Sequence, residues 1–525
     1  MRKTRLFGHA FLTGLGISCV GLSPAHAQLT GAFADAITVD TEYVTGANNA
    51  TDIAFSNDGR AVITLKSGAV VIRRANGTKN MVMNAFGTVD TNSEKGLLGV
   101  VAHPTMANTF FFYVSNGTSN DDKHRVFRGT LDANDGLTVD TMNPVVAASV
   151  AGGPGLKGPA NHDGGGLFIY QDQLYIGVGD TGANATPPTN KYSSCLNVGN
   201  GKVLRVNLDG TVPTDNPLVN ETMVTSCDST DGDWGTAAPD KRIYAWGFRN
   251  PWRLWVDPHT GLMWVGDVGE TTREEISMGG GNQHYGYPFH EGSTDWSMNG
   301  GNLRLEKDCD QEFQPSRACT EPVYDYGHTG GANCVIGGLI PEGCGWTNAF
   351  GGKLYYLFGD HGAGWVRALE VAPDRMGVVS MTATDFGDFS GGPSSFRMGP
   401  DGALYMVMDV AGAVYRMAPT DQTGTDCMGG GGTGGAGGMS GAGGSSGAGT
   451  TGGTGMTTGG TGMTTGGTAT TAGGAGGSGG SKKDSGESED DGGCGCRTAG
   501  RHGKPIALAL LGLGVAVAFG RRKRR

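Results

Sequence analysis

The chain has 525 residues, a net charge of −11 and a pI of about 5.5. That acidity excludes nucleic acid as a partner, because phosphate binding needs a basic face, and the only strongly basic run is Arg521 to Arg525. The length alone would allow several domains, but many of the 97 glycines lie in one block near the C-terminus that cannot build a core. Met1 to Ala27 reads as a secretory signal: Arg2, Lys3 and Arg5 form a positive start, Phe11 to Leu22 an apolar run, and Ala25-His26-Ala27 a small-residue cleavage site. The mature protein is then expected to begin near Gln28, outside the cytoplasm.

From Thr38 to Met417 short apolar runs recur, each bounded by Gly, Asp, Asn or Pro. Ile53–Ile72, Leu167–Asp180, Leu254–Asp267 and Phe396–Met417 all read as apolar strand, polar turn with Asp or Gly, apolar strand. Repeated hairpins of one kind predict an all-β, six-bladed β-propeller, since roughly 380 residues fill about six four-stranded blades. A β-sandwich is the alternative, but it does not need so many similar hairpins. Glu270 to Asn348 carries few strand signals and most of the cysteines, and is expected to form long loops on one face.

Three local disulfides are the natural reading of the loop cysteines: Cys309 with Cys319, Cys334 with Cys344, and Cys195 with Cys227. A zinc site is the competing reading, and the absence of C-x-x-C weighs against it. The expected organisation is a signal over 1–27, a propeller over 28–427, a disordered Gly/Thr/Ser-rich linker over 428–493 and a C-terminal segment over 494–525. In that last segment Pro505 to Gly520 reads as a short apolar helix, brief for a full membrane span.

The chemistry concentrates between Ile243 and Ile276. Arg249-Asn250 precedes a hairpin turned by Asp257-Pro258-His259-Thr260-Gly261. Gly269-Glu270 and the acidic pair Glu274-Glu275 follow it. A cation beside carboxylates and free carbonyls suits an anionic ligand next to a hard metal ion. A β-bulge and a solvated acidic turn would give the same spacing.

Several segments, in order, resemble the glucose/sorbosone dehydrogenase family. They are Glu94-Lys95-Gly96-Leu97-Leu98-Gly99 with His103-Pro104, Asn161-His162-Asp163-Gly164-Gly165, Gly201 to Pro217, Gly247 to Pro251, and Tyr285-Gly286-Tyr287-Pro288. The resemblance implies a six-bladed propeller that oxidises an aldose at C1 to the lactone with pyrroloquinoline quinone (PQQ) and calcium. Residue by residue it implies His162 as the catalytic base. It implies Arg249, Asn250, Asn161 and Glu94 as cofactor contacts, Gly269 and Glu270 at the cofactor's calcium, and Glu274, Glu275 and Tyr285 near a second calcium.

Two departures point the other way. Catalytic members carry a lysine in the stretch that here reads Gly359 to Gly364, which has none. They also carry an Arg-x-Arg pair where this chain reads Gly391 to Phe396, with only Arg397 nearby. In this the chain resembles the hedgehog-interacting-protein-like branch. That suggests a non-catalytic propeller binding carbohydrate or protein at the cell surface. A lactonase-type hydrolase on the same fold would need a cage of inward carboxylates that the sequence does not reveal. The C-terminal order of Gly/Thr-rich spacer, Cys494-Gly495-Cys496-Arg497, apolar segment and basic end resembles the MYXO-CTERM sorting tail. It implies display at the cell envelope and says nothing about chemistry; the dehydrogenase resemblance implies a small-molecule sugar as partner, and the binding-propeller alternative a surface glycan.

Overall fold

The computed structural model describes residues 27–116, 123–146, 161–180, 192–227, 234–295, 309, 315–343 and 345–421. The expected signal up to residue 26, the linker and the C-terminal segment lie outside them. Among the described residues six antiparallel sheets of four or five strands carry the fold, with two two-stranded ribbons beside them. Their innermost strands are Ala50–Phe55, Leu97–Ala102, Leu167–Tyr170, Pro251–Val256, Val335–Leu339 and Pro393–Met398, taken here as the starts of blades 1 to 6. Each innermost strand packs against the next, and that of blade 6 packs against that of blade 1. The result is a closed six-bladed propeller, as the hairpin repeat predicts.

The strand residues are buried on both faces, because each blade is sandwiched between two others. Ala50–Phe55, Leu97–Ala102 and Pro251–Val256 are buried throughout. The turns use the expected residues. In blade 4 the Asp257 side chain accepts the His259 N–H at 2.9 Å, and Gly261 adopts φ +73° to let the chain return.

Two features go beyond the sequence reading and a third departs from it. The ring is closed by the N-terminal strand Ile37–Thr45, which pairs with Ala413–Pro419 as the outer strand of blade 6. A further short strand, Ala27–Leu29, lies on the outer edge of blade 5 against Phe389 to Gly387. Glu270 to Asn348 is also less loop-like than expected. It supplies Arg273–Gly279 and Tyr324–Gly327 to blade 4 and the innermost strand of blade 5. Their sequences, such as REEISMG and VIGGL, hold charged residues or glycines where strand signals were sought.

Cys309 and Cys319 are bridged, with Cα atoms 5.2 Å apart. Cys195 and Cys334 are also in disulfides. The side chain of Cys227 and all of Cys344, their expected partners, lie outside the described residues.

The propeller axis is filled by a polar network. Arg253 of blade 4 donates across the axis to the carbonyls of Thr51 at 2.7 Å and Leu98 at 3.0 Å. Arg397 of blade 6 donates to Asp52 of blade 1 at 2.7 and 3.1 Å, and to the Leu167 carbonyl of blade 3 at 2.9 Å. Burial would raise the Asp52 carboxyl, yet Arg397 and Arg253 hold it below its ordinary value. The network joins blades 1, 2, 3, 4 and 6 and closes the floor beneath the upper face.

Candidate active site on the upper face

In every blade the start of the innermost strand and the end of the second strand lie at the same end of the sheet, because the two are antiparallel. That rule gathers one face. From the loops before the innermost strands it takes Ser93 and Glu94, Asn161 to Gly165, Arg249 and Asn250, and His328. From the ends of the second strands it takes Lys66, Asp180, Asp267 to Glu270, Asp360 with His361, and Asp409.

Aspartate recurs at the second position. Asp180, Asp267, Asp360 and Asp409 end the second strands of blades 3 to 6, and each ties down a neighbouring loop. Asp267 accepts the backbone N–H groups of Arg249 at 3.0 Å and Asn250 at 2.7 Å. Asp360 accepts those of Asn333 and Cys334, both at 3.1 Å. Asp180 accepts instead from a side chain, at His162 Nδ1, 2.7 Å away. Three of the four follow a glycine, at 179–180, 266–267 and 359–360, a repeat that the sequence reading did not use, and only the fold shows what each one holds.

His162 is buried to 8% exposure and adopts φ +57°. Its backbone N–H donates to Glu94 at 2.7 Å. A side chain on Gly179 would lie 1.8 Å from the His162 carbonyl, so only glycine lets the two strands approach here. With Nδ1 on the Asp180 carboxylate, the neutral ring carries its proton on Nδ1, and Nε2 is the basic nitrogen.

Glu94 is fully buried, with Oε1 unpartnered. Burial pushes its carboxyl up to about 7. Asn161 is half-buried and accepts from the Ser93 hydroxyl, on the Glu94 side of His162. Arg249 and Asn250 are both buried. Arg249 Nη1 donates to the Val268 carbonyl at 3.1 Å, while Nε has no partner. Asn250 Oδ1 accepts the Gly164 N–H at 3.0 Å, and its Nδ2 is unpartnered. Burial works against the Arg249 cation, but Tyr287, Asp180, Glu270 and Glu274 around it raise its pKa.

The acidic residues separate into two groups. Glu291, which sequence reading did not single out, accepts the N–H groups of Glu270, Thr271, Thr272 and Arg273 at 2.7 to 3.2 Å. That fixes the loop carrying Gly269 and Glu270, and Tyr287 donates to the Glu270 carboxylate at 3.3 Å. Glu274 is fully buried and serves as a clamp. It accepts from His328 at 2.7 Å, Val335 N–H at 2.9 Å and Gly269 N–H at 3.3 Å. Glu275 lies opposite Asp267, and burial and that neighbour raise its carboxyl well above the usual range.

Tyr285 is not brought to this group. It stacks on Phe248 with ring centroids 4.6 Å apart, and its hydroxyl donates toward Gly280 at 2.9 Å and Gln283 at 3.0 Å. Among the described residues no three His, Cys, Asp or Glu side chains form a group that could hold a metal ion. The Gly269 carbonyl, by contrast, receives no hydrogen bond among the described residues.

The donor set fits an anionic, oxygen-rich group beside blade 4. Arg249 Nε and Asn250 Nδ2 are buried donors with no acceptor among the described residues, which is costly unless something else accepts from them. Arg397 is not part of that set, because Asp52 occupies it in the axis below.

The burial of Glu94 has a measurable consequence. Its folded pKa lies above the unfolded one, so the folded state holds its proton more tightly between about pH 4.5 and 7. Stability from this group falls as pH rises through that window, and the cost is complete above about 7. Glu94→Gln is expected to stabilise the apo-protein at pH 8 by about 2–3 kcal/mol and to do nothing at pH 4. Urea unfolding of both chains at the two pH values checks this. A stability difference that does not change with pH would refute it.

Comparison with known proteins gives the family and the fold. Residues 47–333 match the family described as Glucose / Sorbosone dehydrogenase. The chain is 30% identical over 230 residues to quinoprotein glucose dehydrogenase B of Acinetobacter calcoaceticus, covering 39% of this chain and 42% of that protein. It is 25% identical over 255 residues to the aldose sugar dehydrogenase YliI of Escherichia coli K12, covering 48% and 61%. The chain thus spans about half the length of the relatives it matches.

Two solved structures share the fold. The soluble aldose sugar dehydrogenase of Escherichia coli in its apo-form superposes with a TM-score of 0.54 at 20% identity, over 73% of this chain and 99% of that one. The PQQ-bound aldose sugar dehydrogenase of Streptomyces coelicolor gives 0.51 at 18%, over 73% and 99%. With six blades closed into a ring and more than half the chain matched by the family's model, the protein belongs to the glucose/sorbosone dehydrogenase family.

Proposed function

We propose that this chain is an exported, envelope-displayed sugar dehydrogenase that oxidises an aldose at C1 to its lactone, with PQQ as cofactor and calcium beside it. The observation that carries the reading is the His162–Asp180 pair on the same face as the unsatisfied donors of Arg249 and Asn250. When bound, the quinone supplies the two-electron acceptor for the C1 hydride.

The chain's own residues supply the rest. Asp180 orients the imidazole and stabilises its cation. His162 Nε2 takes the C1 hydroxyl proton as the carbonyl forms. Arg249 and Asn250 bind and orient the oxygens of the cofactor, where a fixed cation favours developing negative charge. The Gly269 and Glu270 carbonyls are the proposed calcium contacts. Glu291 holds their loop in place, and Glu274 ties it to blade 5.

A second reading, a non-catalytic propeller that binds a surface glycan, is favoured by one observation. Arg397, the cation nearest the missing Arg-x-Arg, is consumed by Asp52.

One preparation tests both. The protein is purified from fractionated cells and titrated with PQQ and calcium, then assayed for dye reduction with common aldoses. Recovery from the envelope, with binding and aldose-dependent reduction, is the expected result. No binding and no reduction at saturation would leave the binding propeller, and full-length protein in the cytoplasm would refute the address.

A further inference from the structure

Where blades 3 to 6 end their second strands on aspartate, blade 1 ends on Lys66, directly after Ala61–Leu65. Its backbone is clamped. The Lys66 N–H donates to the Asn49 carbonyl at 2.9 Å, and its carbonyl accepts from Leu97 at 3.2 Å. A side chain on Gly96 would lie 2.5 Å from that carbonyl, so the strands close tightly around this position.

The side chain is buried to 8% exposure. Its ammonium donates to the Ser93 carbonyl, next to Glu94 and to the Ser93–Asn161 contact that borders His162. It lies within electrostatic reach of Glu94, Asp163, Asp409 and Asp90, but among the described residues no carboxylate forms an ion pair with it, and Asp90 is held by Lys95 at 2.6 Å. An ammonium has three donors, and among the described residues this one has a single acceptor. Burial lowers its pKa, which shows the cost the chain bears to keep a cation here.

A lysine of this kind is explained if a ligand completes its shell. Two further buried donors on the same face, Arg249 Nε and Asn250 Nδ2, also lack an acceptor among the described residues. Arg397 cannot serve, because it lies on Asp52 below the face.

We propose that Lys66 is a cofactor-binding residue: its ammonium, carried on blade 1, holds an anionic oxygen group of the PQQ that Arg249 and Asn250 hold from blade 4. The inference rests on the quinone reading above. It assigns the second cation to a blade where the family resemblance does not look for one.

Calorimetric titration of the purified full-length chain with PQQ in the presence of calcium tests it, with apo-protein melting measured alongside. Lys66→Met is expected to weaken binding by about tenfold or more, the loss of one charge-assisted contact, with the apo melting temperature nearly unchanged. Lys66→Arg is expected to bind within a few-fold of wild type. Equal binding by wild type and Lys66→Met overturns this assignment and leaves the quinone reading standing. No binding by wild type overturns both. If Lys66→Met fails to fold, Lys66→Gln makes the same comparison, and failure of both to fold makes Lys66 a structural cation and overturns the proposal.

Discussion

Replacing His162 by alanine is expected to lower turnover of the reconstituted protein by about 10² to 10⁴, the range for loss of a positioned general base. Affinity for PQQ should change by only a few-fold, because the ring's Nδ1 is engaged with Asp180 and its Nε2 is the atom offered to substrate. Asp180→Asn should also cut turnover, since the amide cannot hold the same tautomer or stabilise the imidazolium. Single-turnover reduction of the bound cofactor by aldose separates the two effects. If His162→Ala reduces it within tenfold of wild type, the proton goes elsewhere and His162 is a loop residue held by Glu94 and Asp180 for packing alone.

The largest expected effect on stability is in the axis. Asp52 is fully buried and receives both Arg397 and the Ser395 hydroxyl, with the backbone N–H groups of Ile53 at 2.9 Å and Val100 at 3.1 Å. Asp52→Ala would leave Arg397 without its carboxylate in a buried setting. It would also remove the anion that offsets the burial of Arg253, whose pKa is already pushed down to about 10. Breaking a buried pair from one side costs roughly 3–5 kcal/mol. Denaturant unfolding of the apo-protein should show a loss of that size, spread over the whole ring because the network joins five blades. A loss below about 1 kcal/mol would mean that the arginines find other acceptors. Since Arg397 is fixed here, its substitution is expected to unfold the propeller before it informs on cofactor binding.

These expectations differ in how far the sequence foresaw them. The fold was legible because a blade is local: strand, polar turn and strand follow one another within about twenty residues, and the pattern repeats. The candidate base and the Arg249-Asn250 pair were legible through short motifs, each of which occupies one loop. The disulfide between Cys309 and Cys319 was legible for the same reason, being closed over a short loop.

What the sequence left open depends on contacts between distant segments. Nothing local in Ile37–Thr45 says that it will pair with Ala413–Pro419, because ring closure is a property of the number of blades. Nor did strand signals show in Arg273–Gly279, where the fold buries Glu274 and Glu275 and finds them partners on blade 5 and at Gly292. Asp180 was not singled out in the sequence, and only the tight approach of Gly179 to His162 makes it the histidine's partner. Arg397 read as a cation near the site and became an axial one, since a strand residue's side is set by register and not by sequence distance. Lys66 carried no motif at all. Its interest comes from tertiary structure alone, which buries a positive charge beside Glu94 and gives it, among the described residues, one acceptor where it has donors for three.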